Sequence, residues 1–150
     1  MRHLMLLSLI TTIFITGCST TPVKVNQPIK IEQQTAAPDK DTLYVLWTSG
    51  DPDVAHKVCF MYTHAAKKAK WFENVELIVW GPSSKLLAND VKLQKKIKSM
   101  LNSGIAIKAC KACADSYNVS GRLSELDIEV KYMGQPLTKI LKNKGCLISF

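Results

Sequence analysis

Short apolar runs alternate with longer amphipathic stretches from Leu43 onward, and this alternation predicts a sheet interleaved with helices. The runs predicted to be strands begin near residues 43, 75, 105, 128 and 146. The first run, residues 43–47, is continuously apolar, as expected of a strand buried on both faces. Strands that alternate with helices are typical of a parallel sheet. We therefore expect an α/β fold, a flavodoxin-like three-layer sandwich whose five-stranded parallel sheet has the order 2-1-3-4-5 and helices on both faces.

The stretch after the first strand carries a clear helix signal. Asp51 is a favourable N-cap and Pro52 a favourable first helical residue, so a helix is predicted from Pro52 to about Lys70. Its predicted core-facing residues are Val54, Val58, Met61, Tyr62, Ala65 and Ala69. Phe60 falls on the opposite side with His56 and His64. Because a large aromatic side chain would be exposed there, we expect this side to pack against another subunit.

The N-terminus resembles a bacterial lipoprotein signal. Arg2 gives a basic start, an apolar run follows over residues 4–15, and Gly17 precedes Cys18. The apolar run is too short for a stable membrane span but fits a secretion signal. We predict a signal peptide over residues 1–17, lipidation of Cys18 and a flexible tether over 18–40; an ordinary signal peptide with an incidental cysteine is the alternative. The globular domain is predicted to occupy residues 41–150.

The residue after Cys18 predicts where the anchored protein is placed. It is Ser19, which by resemblance to sorting rules in two-membrane bacteria implies the outer membrane, facing the periplasm. A host with one membrane would instead hold the protein on the outer face of its cytoplasmic membrane. We expect membrane contact through the lipid alone.

The formal net charge of +8 comes mostly from lysine. Such a charge suits nucleic acid, anionic lipid or an acidic protein, but most of these lysines fall on helix faces predicted to be solvated. The basic and aromatic interleaving of RNA-binding domains is missing, so no nucleic-acid partner is expected. Phosphate-binding glycine loops, zinc-protease helices and serine nucleophile elbows are missing from the sequence as well, which disfavours nucleotide hydrolysis and the common hydrolases. We expect no cofactor.

The strongest chemical candidate is Cys110, which follows the apolar run 105–109 and precedes a predicted helix. Unpaired amides and the positive end of the helix dipole favour a thiolate at such a junction, and Lys111 adds positive charge. In the expected strand order, the loop of Ser49, Gly50 and Asp51 meets Cys110 at the carboxyl ends of adjacent strands. These loop residues and Lys111 are therefore the predicted substrate-binding residues.

The spacing of Cys110 and Cys113 leaves three interpretations open. Cys110 could carry sulfur as a persulfide, the two cysteines could form a dithiol/disulfide couple in the oxidising periplasm, or a disulfide could form without turnover in a binding domain. A zinc site would need four ligands together, so no metal is expected. Cys59 and Cys146 are predicted to be inert core residues.

The element order over residues 43–150 resembles the DsrE/DsrF-like domain. Its most specific part is a strand that ends at Cys110, a helix that starts with small residues, and the apolar Val119. Relatives in the sulfur-relay branch carry their persulfide cysteine at the position of Cys110 and form homo- or hetero-oligomers. The resemblance therefore implies the flavodoxin-like fold, a functional Cys110 and a homo-oligomer.

Two features depart from that family's relay proteins. The export signal separates this chain from cytoplasmic sulfur-relay partners, and Cys113 stands where those relay proteins carry a small residue without a thiol. A second thiol one turn away would attack a persulfide on Cys110 and release sulfide. We predict a lipid-anchored DsrE-like protein whose Cys110 handles sulfur or thiols, with Cys113 as the candidate resolving thiol and with a sulfur-donor or thiol-redox partner protein. The alternative is a non-catalytic oligomeric binding or assembly module.

Overall fold

All five predicted strands are present in the computed structural model, which describes residues 41–150. The predicted signal peptide, Cys18 and the tether lie outside the described residues. The strands are β1 (Thr42–Trp47), β2 (Asn74–Val79), β3 (Ala106–Cys110), β4 (Glu129–Lys131) and β5 (Cys146–Ser149). Every neighbouring pair of strands is parallel, and helices connect the strands, so the predicted α/β fold class is confirmed.

The helices lie between the strands, and the first of them begins at Pro52, as predicted. They are α1 (Pro52–Val54), a π-helical turn (Ala55–Cys59), α2 (Phe60–Lys68), α3 (Pro82–Asn89), α4 (Val91–Asn102), α5 (Lys111–Ser116), α6 (Ser120–Ser124) and α7 (Gly134–Lys142). Asp51 caps α1 as predicted, because its Oδ1 accepts the Asp53 amide at 2.7 Å. None of the helices between residues 41 and 150 combines the length and apolar character that a membrane span requires.

The strand order is β4-β3-β2-β1-β5, so the predicted order 2-1-3-4-5 is wrong. Strands β1 to β4 follow one another in a single direction across the sheet, and β5 returns to the free edge of β1. Because crossovers between parallel strands are right-handed, the helices from α1 to α6 lie on one face and α7 lies on the other. The strand β2 consequently separates β1 from β3.

The two faces of the sheet are buried unequally. The helix-rich face, covered by α1 to α6, packs residues such as Trp47, Leu77 and Ala109 into the larger core cluster. The opposite face, called the α7 face below, holds a smaller cluster of buried residues: Tyr44, Ile78, Cys110, Met133 and Ile140. Glu76 and Lys108 point to the α7 face and form an ion pair there. One nine-residue helix therefore covers this face together with charged side chains.

The first crossover helix buries a different side from the predicted one. Its buried residues are Ala55, Cys59, Phe60, Thr63 and Ala66, whereas Val58 and Met61 are 41% and 64% exposed. The ring of Phe60 packs edge to face on Trp47, with centroids 4.9 Å apart. The π-helical turn changes the angular phase of the helix, and its buried residues are the small Ala55 and Cys59. The prediction that Phe60 contacts another subunit is therefore wrong.

The buried thiol of Cys59 makes stability depend on pH. Burial raises the pKa of this thiol from 9.0 to about 12, so the folded protein keeps a proton that the unfolded chain loses. The stability that this protonated thiol contributes is fully present below pH 9 and is lost as the pH rises toward 12. From pH 8 to pH 10.5, the free energy of unfolding should fall in both the wild type and Cys59→Ala. We expect the fall to be about 2 kcal/mol larger in the wild type. Urea melts at both pH values measure this difference, and equal losses in the two proteins would contradict it.

Candidate functional site

The candidate site lies where β3 ends and α5 begins. Cys110 is the last residue of β3 and the N-cap of α5, with an extended backbone at φ −69° and ψ 110°. Cys113 lies three residues later, in the first turn of α5. Residues three apart on a helix lie on the same side, so both sulfur atoms belong to one surface. Both side chains join the α7-face cluster.

The two thiols differ in exposure. Cys110 is only 3% exposed and lies among the buried residues of the α7-face cluster, which include Ile78 and Met133. Cys113 is half-buried, and both cysteines are free thiols. The sequence predicts the reactive sulfur at Cys110, but the sulfur that is more exposed to solvent is that of Cys113.

The environment of Cys113 favours its neutral thiol. Burial raises its pKa above the ordinary 9.0, and a hydrogen bond with the adjacent Cys110 thiol raises it further. A hydrogen bond from the Gly81 backbone acts in the opposite direction. Gly81 follows β2 and has a left-handed φ of 66°. The Cys113 thiol therefore lies between the end of β3 and the loop that follows β2.

Lys111 does not present a free ammonium group to the thiols. Its Nζ forms an ion pair with Asp115 at 2.6 Å and lies 5.6 Å from the centre of the Tyr132 ring. The hydrogen bond with Asp115 raises the pKa of Lys111. The predicted electrostatic role of Lys111 beside Cys110 is therefore weakened, because its charge is compensated by Asp115.

A second lysine, which sequence reasoning missed, lies on the α7 face near Cys110. Lys131 of β4 is the register partner of Cys110 in β3, so both side chains project to the α7 face. Its Nζ is 2.8 Å from a carboxylate oxygen of Glu129. Only the pairing of β3 with β4 reveals this placement, and the periodicity of either strand alone does not.

The loop of Ser49, Gly50 and Asp51 does not neighbour the cysteine loop, because β2 lies between their strands. The Ser49 hydroxyl accepts the Asp51 amide at 3.1 Å, and the Asp51 carboxylate is occupied by the helix cap. A Cβ added to Gly50 would lie 3.2 Å from the Cβ of Pro82. Gly50 and Pro82 line a groove of about 640 Å³ with Lys85, Leu86, Asn89 and Tyr117. The predicted substrate-binding loop thus borders this groove.

The two other cysteines among the described residues, Cys59 and Cys146, differ in burial. Cys59 is fully buried, in agreement with the prediction of a core residue. Cys146 is exposed on the edge strand β5, so its prediction as a core residue is wrong. Between residues 41 and 150, no three His, Cys, Asp or Glu side chains are grouped as metal ligands would be.

Fold and site together define a flavodoxin-like α/β domain with two cysteines at the carboxyl edge of its sheet. The chain belongs to the same family as the conserved protein of unknown function BT1422 from Bacteroides thetaiotaomicron. The two are 40% identical with a TM-score of 0.71, and the match covers 73% of this chain and 95% of that chain. No protein-family model matches the chain, and no curated protein does.

The ychN protein from E. coli is similar in fold. It is 12% identical with a TM-score of 0.54, and the match covers 73% of this chain and 97% of that chain. At this identity the likeness establishes the shared architecture of the sheet and its helices.

Proposed function

We propose that this protein is a DsrE/DsrF-like thiol-exchange protein that cycles Cys110 and Cys113 between a dithiol and a disulfide. The observation that carries the proposal is the pairing of a half-exposed thiol with a buried one in the first turn of α5. The half-exposed sulfur of Cys113 is reachable by a partner, and the buried sulfur of Cys110 is adjacent to it. This arrangement suits an entering thiol followed by a resolving thiol.

The reaction with an oxidised partner takes two steps. The Cys113 thiolate attacks one sulfur of the partner disulfide, which forms a mixed disulfide and releases the other partner sulfur as a thiolate. The Cys110 thiolate then attacks the Cys113 sulfur, closes the Cys110–Cys113 disulfide and releases the second partner thiolate. The partner gains two electrons, and the two thiol protons pass through solvent to the released thiolates. An oxidised Cys110–Cys113 pair would run the same steps in reverse with a partner dithiol.

The raised pKa of Cys113 sets the expected pH dependence of the first step. Since only the thiolate attacks, and burial holds Cys113 as a thiol near neutrality, the attack accelerates as the pH rises.

Persulfide carriage on Cys110 is less well supported by this geometry. A persulfide on Cys110 would lie beside the Cys113 thiol, whose thiolate would attack the inner sulfur. That attack closes the Cys110–Cys113 disulfide and releases hydrosulfide. The neighbouring thiol therefore converts a bound sulfur atom into sulfide and leaves the same disulfide as the exchange reaction.

The proposal also includes export and lipid anchoring at Cys18, with the domain in the periplasm or on the outer face of a single membrane. The support is the sequence resemblance to a lipobox, and the oxidising periplasm is a compartment in which a Cys110–Cys113 disulfide would persist. Homo-oligomer formation, implied by the family resemblance, stays a prediction.

A titration in glutathione redox buffers tests the exchange reaction. The chain used starts at residue 19 and carries Cys146→Ser, because Cys146 is exposed and would itself react. We expect one internal disulfide per chain to form in a single two-electron transition. A stable mixed disulfide with glutathione, or no oxidation across the whole range of buffers, would contradict the proposal and favour a binding module.

A further inference from the structure

A basic surface lies on the helix-rich face, where the end of α2 meets α4. It is called the basic ridge here and comprises Lys67, Lys68, Lys70, Lys92, Lys95 and Lys96. Neither α2 nor α4 contains an aspartate or glutamate within its bounds. All of these lysines except Lys67 are exposed, so the ridge presents concentrated positive charge to the surroundings.

Contacts at His64 show that both helices contribute to the same surface. The His64 Nε2 lies 3.1 Å from the hydroxyl of Ser103, which follows α4. Burial lowers the pKa of His64, and the charges of Lys68 and Lys96 lower it further. The His64 imidazole is therefore within electrostatic range of Lys68 in α2 and of Lys96 in α4. Lys92 lies one turn before Lys96, which extends the same row along α4.

The border of the ridge holds a groove and an exposed aromatic residue. The groove has a volume of about 390 Å³ and is lined by Lys67, Lys68, Lys70, Phe72, Glu73 and Ser103. Glu73 and Asp41 are acidic side chains at this border. Trp71 directly follows Lys70 and is 57% exposed. Exposed tryptophan beside lysine is the combination that favours the interface between water and lipid.

The chain enters the domain beside this surface. Asp41 accepts the Glu73 amide through its Oδ2 at 3.2 Å, and its carbonyl oxygen accepts the Asn74 amide. Lys67 donates to the carbonyl oxygen of Glu73 at 2.8 Å. Asp41 therefore lies next to the basic ridge. Since the strands are parallel, Asp41 before β1 and Cys110 at the end of β3 mark opposite edges of the sheet.

We propose that the basic ridge and Trp71 dock on a membrane surface rich in anionic phospholipid headgroups. The spread of lysines suits many separate phosphate charges, because lysine acts as a point charge and lacks the planar fork of arginine. Lys67, Lys70 and Trp71 lie beside the start of β2, at the end of the sheet opposite to Cys110 and Cys113, so membrane contact through them leaves the cysteines accessible to partners. Membrane contact was predicted through the lipid on Cys18 alone. The basic ridge would add a second contact, made by the protein itself. It is independent of the thiol chemistry.

Vesicle co-sedimentation tests the docking surface. The chain from residue 19 onward lacks Cys18 and keeps the whole sheet with both core clusters, which form one compact unit. We expect it to sediment with phosphatidylcholine vesicles that contain phosphatidylglycerol, and to stay in solution with phosphatidylcholine alone. Added salt should release it, and the Trp71 fluorescence should shift to shorter wavelength on binding.

Matched charge-reversal variants distinguish binding through the basic ridge from an effect of the overall net charge. K68E/K96E should weaken partition to the anionic vesicles at least about thirtyfold, since each lysine at a membrane surface contributes on the order of 1 kcal/mol and each introduced glutamate adds repulsion. K57E/K85E makes the same change in net charge away from the ridge and should have a much smaller effect. Equal weakening by both variants, or no anionic-vesicle binding by the wild type, would overturn the proposal. Binding to soluble polyglutamate without vesicle binding would overturn it in favour of an acidic protein.

Discussion

Phe60→Ala should destabilise the folded protein by about 3–5 kcal/mol, a large share of the stability of a domain this size. Phe60 is 2% exposed, and its ring packs edge to face on Trp47, which is fully buried at the carboxyl end of β1. Alanine would remove that contact and leave a cavity beneath the first crossover helix. Urea unfolding of the purified chain from residue 19 onward measures the loss.

Met61→Ala is the matched control for this variant. Met61 is the next residue of the same helix, but it is 64% exposed, so its truncation should change the unfolding free energy by less than about 0.5 kcal/mol. Similar small effects for both variants would show that Phe60 lies outside the core. The hypothesis of a subunit contact through Phe60 would then be restored.

Serine substitutions at the two cysteines should produce opposite defects in exchange with oxidised glutathione. In Cys110→Ser the half-exposed Cys113 should still form a mixed disulfide, but its intramolecular resolution is lost. Well-placed intramolecular groups have very high effective concentrations, so the mixed disulfide should last at least about a thousandfold longer than in the parent protein. In Cys113→Ser the remaining sulfur is 3% exposed, and the mixed disulfide should form slowly from the start.

Both variants are best made with Cys146→Ser, because the exposed thiol on β5 would otherwise add its own mixed disulfide. Cys146→Ser alone should close the Cys110–Cys113 disulfide at the rate of the unmodified protein, and this variant is the control. Rapid resolution in Cys110→Ser, or faster entry at Cys110 than at Cys113, would contradict the assigned roles. Mass spectrometry of acid-quenched samples follows the mixed disulfide over time.

The local elements of this fold are predictable because they depend on short-range patterns. Apolar runs mark the strands, and the side chain of Asp51 caps the first helix as expected. The order of the strands depends on which faces the helices cover, and periodicity does not report that directly. Glu76 in β2 and Lys108 in β3 were the available signal, because charged side chains on one face of inner strands argue against a full helical layer there.

The errors at the site have the same physical origin. The register that aligns Lys131 with Cys110, and the packing of Met133 in the same buried cluster as Cys110, depend on contacts between distant segments. The π-helical turn shifts the phase of the first crossover helix, and an assumed 100° per residue therefore selects the wrong buried side. The junction of β3 with α5 was predictable from the local pattern. The burial of Cys110 was not, because it depends on packing against residues of the α7 face that are distant in sequence.

Tryptic mass analysis after mild oxidation tests the dithiol/disulfide couple most directly. Trypsin cuts after Lys108, Lys111 and Arg122, so Cys110 and Cys113 fall on the separate peptides 109–111 and 112–122. After treatment with polysulfide or oxidised glutathione, we expect these peptides to stay joined and to lack the two thiol hydrogens. Separate peptides, with one extra sulfur atom on the Cys110 peptide or with no modification at all, would contradict it.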